Sequence, residues 1–205
     1  MSKRTISGQH NGFDFVEIAG IKWSTCNIGA EKPTDTGLYF QWGDRKGYTA
    51  DEVGKVKFFN WNDYKHHNGK CITKYNKIDG KRVLDLCDNA AFAYMGQGWR
   101  IPTHEDFLCL LDSTTRIWTN NYQGSGIAGM VFRDSTDATK ELFFPKSNYC
   151  RGKIHELGNC CCYWTSSRPI RNDEAVYLFI NNDSFTCLSS ISRYFGFAIR
   201  GILTI

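Results

Sequence analysis

Apolar positions along the chain change period as they run. From Phe13 to Trp23, "FDFVEIAGIKW" reads as two short strands around a turn at Ala19-Gly20. "NIGAEKPTDTGLYFQWGD" then predicts a loop, with Gly29, Pro33 and Gly37, leading into the aromatic run Tyr39, Phe40 and Trp42. From Arg45 to Lys81 no period holds. That stretch is polar and aromatic, and it predicts a long surface insertion of irregular structure. Helical spacing follows. "DLCDNAAFAYMG" predicts a helix through Ala90, Ala91, Phe92, Ala93 and Met95, stopped by Gly96. "GWRIPTHEDFLCLLDST" predicts a second. Thr103 is its N-cap, Glu105 and Asp106 sit in the first turn where the helix dipole favours anions, and Phe107, Leu110 and Leu111 form its buried stripe.

Beyond that helix the pattern turns to strands: "IAGMVFRD", "KELFFPKSNY", "CCYWTSS", "AVYLFIN" and the closing "RYFGFAIRGILTI". Ala175 to Ile180 is apolar at both parities, which predicts a strand buried on both faces. Two helices followed by a run of strands predict an α+β chain forming one domain over residues 1–205.

Composition supports a packed core. Of 205 residues, 41% are hydrophobic and 15% aromatic, so disorder is excluded as a class. The net charge of +4 comes without any dense Lys/Arg run, which argues against nucleic acid as a partner. The opening "MSKRTISGQHNGFDFVEIAG" lacks the apolar core of a secretory signal, and no apolar run nears the ~20 residues of a membrane span. The expectation is cytoplasmic synthesis without membrane insertion, with display in a virus particle left open. Nine cysteines, in that setting, read as reduced and mostly buried thiols. "NCCCYW" has no C-x-x-C partner, and neighbouring cysteines of a strand point to opposite faces, so zinc is not expected.

Candidate chemistry is sparse. His66 and His67 read as solvated loop residues, and His104, Glu105 and Asp106 as a favourably charged helix start. Asp85, Asp88, Asp134 and Asp137 lack the alternating spacing of a calcium loop. No phosphate-binding glycine loop, nucleophile elbow or dinucleotide fingerprint occurs. No catalytic residue, metal or cofactor is expected.

Three separated segments resemble one family. "VEIAGIKWSTCNIGAEKPTDTGLYFQWGD", "DNAAFAYMGQGWRIPTHEDFLCLL" and "CYWTSS…AVYLFINN…RYFGFAIRG" are similar, in order, to motifs of the Fibrobacter succinogenes major paralogous domain, over about Phe15 to Ile202. The resemblance implies a C-type-lectin-like fold, with two helices flanking short antiparallel sheets and the N- and C-terminal strands paired. It makes Trp99, Arg100, Pro102, Trp164, Arg193, Tyr194, Gly196 and Arg200 scaffold residues. Two functions attach to such a fold. The formylglycine-generating enzyme needs a reactive cysteine pair and a cysteine in its closing segment, whereas Phe197-Ala198-Ile199-Arg200-Gly201 has none after Arg200. The other is a variable protein of a diversity-generating retroelement, in which errors at template adenines diversify Asn codons. "SFTCLSSIS" (184–192), "RPIRN" (168–172) and Phe195 contain only residues that such codons reach.

The resulting expectation is a non-enzymatic, receptor-binding variable protein, phage- or prophage-encoded, with residues 168–195 as its variable region. Its contact residues would be Arg168, Pro169, Ile170, Arg171, Asn172, Thr186, Cys187, Leu188, Ser189, Ser190, Ile191, Ser192 and Phe195. Cys187, Leu188, Ile191 and Phe195 would make an apolar patch on a loop held by the scaffold, facing a cell-surface protein or glycan. The alternative is that Leu188 and Ile191 are strand residues facing the core, because so short an apolar run has no decisive period. Phage proteins of this kind form trimers, so a homo-oligomer belongs to the resemblance; no heptad pattern adds to it. An adhesin-like or structural module without diversification is the first alternative function, and an oxidase of the formylglycine-generating type the second.

Overall fold

The computed structural model describes residues 6–156 and 158–204. The first residues of the stretch read for a leader lie outside them. In chain order the elements are β1 (Gly8–His10), β2 (Phe13–Ile18), β3 (Ile21–Asn27), α1 (Ala90–Met95), β4 (Trp99–Arg100), α2 (His104–Ser113), β5 (Thr114–Thr119), β6 (Gly129–Asp134), β7 (Glu141–Pro145), β8 (Tyr149–Arg151), β9 (Ile154–Glu156), β10 (Cys160–Trp164), β11 (Glu174–Asn181), β12 (Thr186–Ser192) and β13 (Arg200–Leu203). Four antiparallel sheets result among the described residues. Their orders are β1-β2-β3-β13-β4, β5-β6-β7, β10-β11-β12 and β8-β9.

Local chemistry explains the first hairpins. Asn11-Gly12 and Ala19-Gly20 all have positive φ, 50° and 83° then 51° and 76°, the geometry of two-residue hairpin turns whose twist matches the strands. The helices also start as their sequences direct. The Asn89 side chain accepts from the backbone N–H groups of Ala91 and Phe92. Thr103 and Asp106 form a reciprocal capping box, and Arg100 clasps the same Asp106 carboxylate at 2.5 and 3.1 Å.

The architecture departs from the α+β, C-type-lectin-like expectation. The chain is about 40% strand and 13% helix, and its sheets curl into an antiparallel half-barrel instead of lying between two flanking helices. The reason is length. Six-residue α1 and ten-residue α2 are too short to cover a sheet, so the sheets cover one another. The last strand, β13, lies between β3 and β4 in the first sheet and pairs with neither β1 nor β2.

The 45–81 region is irregular as expected, but it is not merely surface. Tyr48, Val53, Phe59, Tyr64 and Tyr75 are buried. His66 is buried too, against the solvated reading of that residue, because its ring packs edge-on between Tyr64 and Tyr75. The β10-β11-β12 sheet separates two cores. Cys160, Cys162, Trp164 and Ala175 face one, with Phe197 and Trp42. Cys161, Tyr163, Leu178 and Ile180 face the other, with Trp23 and Phe107. Three guanidinium groups inside the protein bond mainly to carbonyls. Arg200 reaches Ser24 O, Phe143 O and Asn27 Oδ1 at 2.9–3.0 Å, and Arg193 and Arg168 are described below.

A candidate ligand-binding face

"TCLSSIS" is strand β12, not a loop. Its seven residues pair in unbroken register with β11, from Thr186 opposite Ile180 to Ser192 opposite Glu174. The apolar loop patch is therefore corrected. Strand pleating sends Leu188 to one side, where it packs on the core around Trp23, and Ile191 to the other, on the core around Trp164. Local propensity agrees with this: β-branched Thr and Ile and the apolar Cys and Leu suit a half-buried strand. β12 is the edge of its sheet, with Ser189 its one exposed residue and the other six half-buried.

Ile191 of β12, which shares its side of the strand with Cys187 and Ser189, borders a cavity of about 290 Å³. Its lining combines Ile191 and Phe195 with Tyr149, Arg151, Cys162, Tyr177, Phe179 and Phe197. Five aromatic side chains thus surround it. Phe195 is nearly buried yet reaches the cavity, its ring 5.0 Å from Tyr194 and 6.0 Å from Tyr149. The Tyr149 and Arg151 wall is positioned by β8, which bonds to the 195–197 segment through Cys150 N to Gly196 O and Gly196 N to Cys150 O, both at 2.9 Å. Burial pushes the Tyr177 hydroxyl up to about 12, so it stays a neutral donor. The Cys162 thiol is raised by its hydrogen bond to Cys160, 4.0 Å away, and by burial. Burial also raises Cys187. Both thiols are therefore protonated and weak as nucleophiles at neutral pH.

The 168–172 segment is linked through the Glu174 carboxylate to the other side of β12, the one that carries Leu188 and Ser190. Glu174 accepts from Ser190 Oγ at 2.5 Å and pairs with Arg171 Nε at 3.2 Å. Ile170 is 72% exposed and Arg171 is exposed. Arg168 is buried, its guanidinium donates to the carbonyls of Lys81, Pro169, Ile170 and Asn76, and it lines a different cavity from Ile191. Pro169 borders a separate cavity of about 410 Å³ with Arg82, His104 and Glu105. The half-buried Asn172 carries a buried side-chain oxygen with no partner among the described residues. Thr186 instead accepts from Arg116 at 2.7 Å, at an open groove shared with Phe185 and Thr114.

Of the residues expected at a binding face, Ile191 and Phe195 line this cavity; Tyr149, Arg151, Cys162, Tyr177, Phe179 and Phe197 line it too and were not among those expected. A parity signal was present, since Tyr177 and Phe179 alternate with Leu178 and Ile180. Which parity met a cavity was not in it.

Elsewhere, Asp85, Cys87 and Asp88 bring three potential ligand atoms within 4.8 Å of one another. The Lys74 ammonium already stands there, 2.5 Å from Asp88, 3.0 Å from Asp85 and 3.6 Å from Cys87. Lys65 and the Tyr75 hydroxyl add bonds to Asp88 at 2.5 and 2.6 Å, so the cluster is a saturated ion-pair network. Asp134 is likewise spent, on Thr136 and the Asp137 backbone. All nine cysteines are free, but only Cys150, Cys160, Cys161 and Cys162 are buried, fewer than expected; Cys71 and Cys87 are exposed. No helix among the described residues is long and apolar enough to cross a membrane. Comparison with family models, with curated proteins and with solved structures finds no match.

Proposed function

We propose that the protein binds a ligand, in the manner of a receptor-binding or adhesin-like protein, through edge strand β12 and the aromatic cavity beside it. One observation carries this reading: an uncharged, half-buried edge strand, held in register by β11, puts Ile191 into the wall of an aromatic cavity, with Cys187 and Ser189 on the same side of the strand. Concave, mostly apolar sites with a few polar groups are where ligands bind. The raised thiol of Cys162 at the cavity, and that of Cys187 on β12, favour binding over catalysis. The partner is a protein or glycan of a cell surface, and the bearer a phage, prophage or virion.

Diversification is part of the proposal. Cys187, Ser189, Ile191 and the exposed Ile170 and Arg171 are the positions that vary between sibling copies; Leu188, Phe195 and Arg168 are held by packing or hydrogen bonds and vary less. The test is a library at Cys187, Ser189 and Ile191, scored for folding and for binding to cell surfaces. Folded variants with altered binding are expected. Variants that unfold, or that fold and bind identically, overturn the reading. A near-identical repeat of the 3′ gene segment, differing only at template adenines, and a neighbouring reverse transcriptase gene are expected; without them the diversification part falls and an invariant binding module remains.

A further inference from the structure

Among the described residues that line the aromatic cavity, one is a cation and none is acidic. Arg151 is exposed, with its guanidinium 5.7 Å over the Phe195 ring. It makes no ion pair among the described residues. The other wall residues are Tyr149, Tyr177, Phe179, Phe195, Phe197, Ile191 and Cys162, none of them acidic. Resting on the binding-face reading, we infer that this cavity takes an aromatic carboxylate, the ring among the aromatic side chains and the carboxylate on Arg151.

Size, walls and charge each narrow the ligand. An apolar cavity of about 150 Å³ suffices for benzene, so about 290 Å³ admits one ring with a short substituent but not an oligosaccharide. Aromatic walls favour a ring edge or face at 4.5–7 Å between centroids, and the wall rings Phe195, Tyr149, Tyr177 and Phe197 already stand at such distances from one another. A cationic guest would meet Arg151. A neutral guest would leave the guanidinium without the bidentate acceptor its planar fork matches. The guanidinium lies over the Phe195 ring, at the wall where a bound ring's carboxylate would reach it. The site is also held in place, because the paired bonds between Cys150 and Gly196 fix Arg151 beside Phe195. Tyr177 lies opposite Ser189 of β12, so a β12 change alters the polar lining next to the ring site.

The chemistry has two sources, a free aryl acid or a peptide ending in Phe with its terminal carboxylate. Calorimetric titration of the whole chain with phenylacetate, and with its neutral isostere phenylacetamide, tests it up to about 10 mM, a range suited to ligands of this size. Phenylacetate should bind about tenfold or more tightly than the amide, the value of one charge-assisted contact. Arg151→Gln should erase that preference, Arg151→Lys should keep part of it, and Ile191→Trp should fill the cavity and abolish binding of both. A short peptide ending in Phe, with free or amidated terminus, separates the sources. Tighter binding of the free-terminus peptide assigns a chain end, and binding of phenylacetate alone assigns a small acid. Equal binding of acid and amide, no binding of either, or acid binding unchanged in folded Arg151→Gln overturns the inference. If the aryl acids fail while the β12 library still changes cell-surface binding, only the ligand class falls. If the library fails, the binding-face reading falls by itself.

Discussion

Arg193 ties the candidate face to the rest of the protein, and replacing it tests that tie. The residue follows β12 directly and is fully buried. Its guanidinium donates to the carbonyls of Glu174, Lys74 and Tyr75 at 3.0, 3.1 and 2.7 Å and stacks 4.6 Å over Trp42. Arg193→Leu leaves one buried and two part-buried carbonyls without that donor, at about 1–2 kcal/mol each, and loses a desolvated cation–π contact of about 1–2 kcal/mol. Removing the charge also removes its own burial penalty, which offsets part of the loss. The net expectation is a destabilisation of about 3–5 kcal/mol. For a chain of this length that lowers Tm by roughly 6–20 °C. Thermal and urea unfolding followed by circular dichroism measure it. Amide exchange adds a signature that mere core loss would lack: the Tyr75 and Asn76 amides, bonded to Asp79 in the segment that Arg193 clamps, should exchange faster than those of the distant β2-β3 hairpin. A loss under about 1 kcal/mol, with unchanged exchange at Tyr75 and Asn76, would refute the clamp.

Strand parity predicts that Leu188→Ala costs about 1–2 kcal/mol, as a half-buried side chain on the Trp23 core, while exposed Ser189→Ala stays within about 0.5 kcal/mol; equal costs in urea unfolding contradict the assignment. Burial, opposed by Asp88, lowers His66 to about 4, against an unfolded value of about 6.5. The unfolded chain therefore binds the proton first, so stability is complete above about pH 6.5 and falls as pH drops toward 4. His66→Phe should flatten unfolding free energies measured across that window, and an unchanged slope counts against the burial. Burial pushes the Asp88 carboxyl up, but bonds from Lys65, Lys74 and Tyr75 outweigh it and hold it below the usual range; its contribution is lost only below about pH 4. Under native conditions a maleimide should modify exposed Cys71 and Cys87 first and Cys161 last, its thiol raised by burial; early labelling of Cys161, read by mass spectrometry, would contradict the packing.

Much of the local structure was legible in the residues. The Ala19-Gly20 turn, the helix over Ala90–Met95, the Thr103 cap and the strands around Met130, Leu142 and Tyr177 follow from turn chemistry, capping and alternation, which act within a few residues. The architecture was less legible. Whether two short helices flank the sheets or the sheets curl onto one another depends on contacts between distant segments, and the fold inferred from a resemblance did not survive them.

For the candidate site the division falls between a strand and its surroundings. "TCLSSIS" by itself determines an uncharged segment of modest β character, ambiguous between loop, core and face. Tertiary structure decides that it is an edge strand, that Leu188 turns inward on one side while Ile191 meets a cavity on the other, and that Phe195 joins it there. It also decides that Arg151, 40 residues before Ile191 in sequence, supplies the cavity's cation. The physical reason is pleating and pairing: a one-residue change of register exchanges the two faces of a strand, and register is set by the partner strand, not by the strand alone.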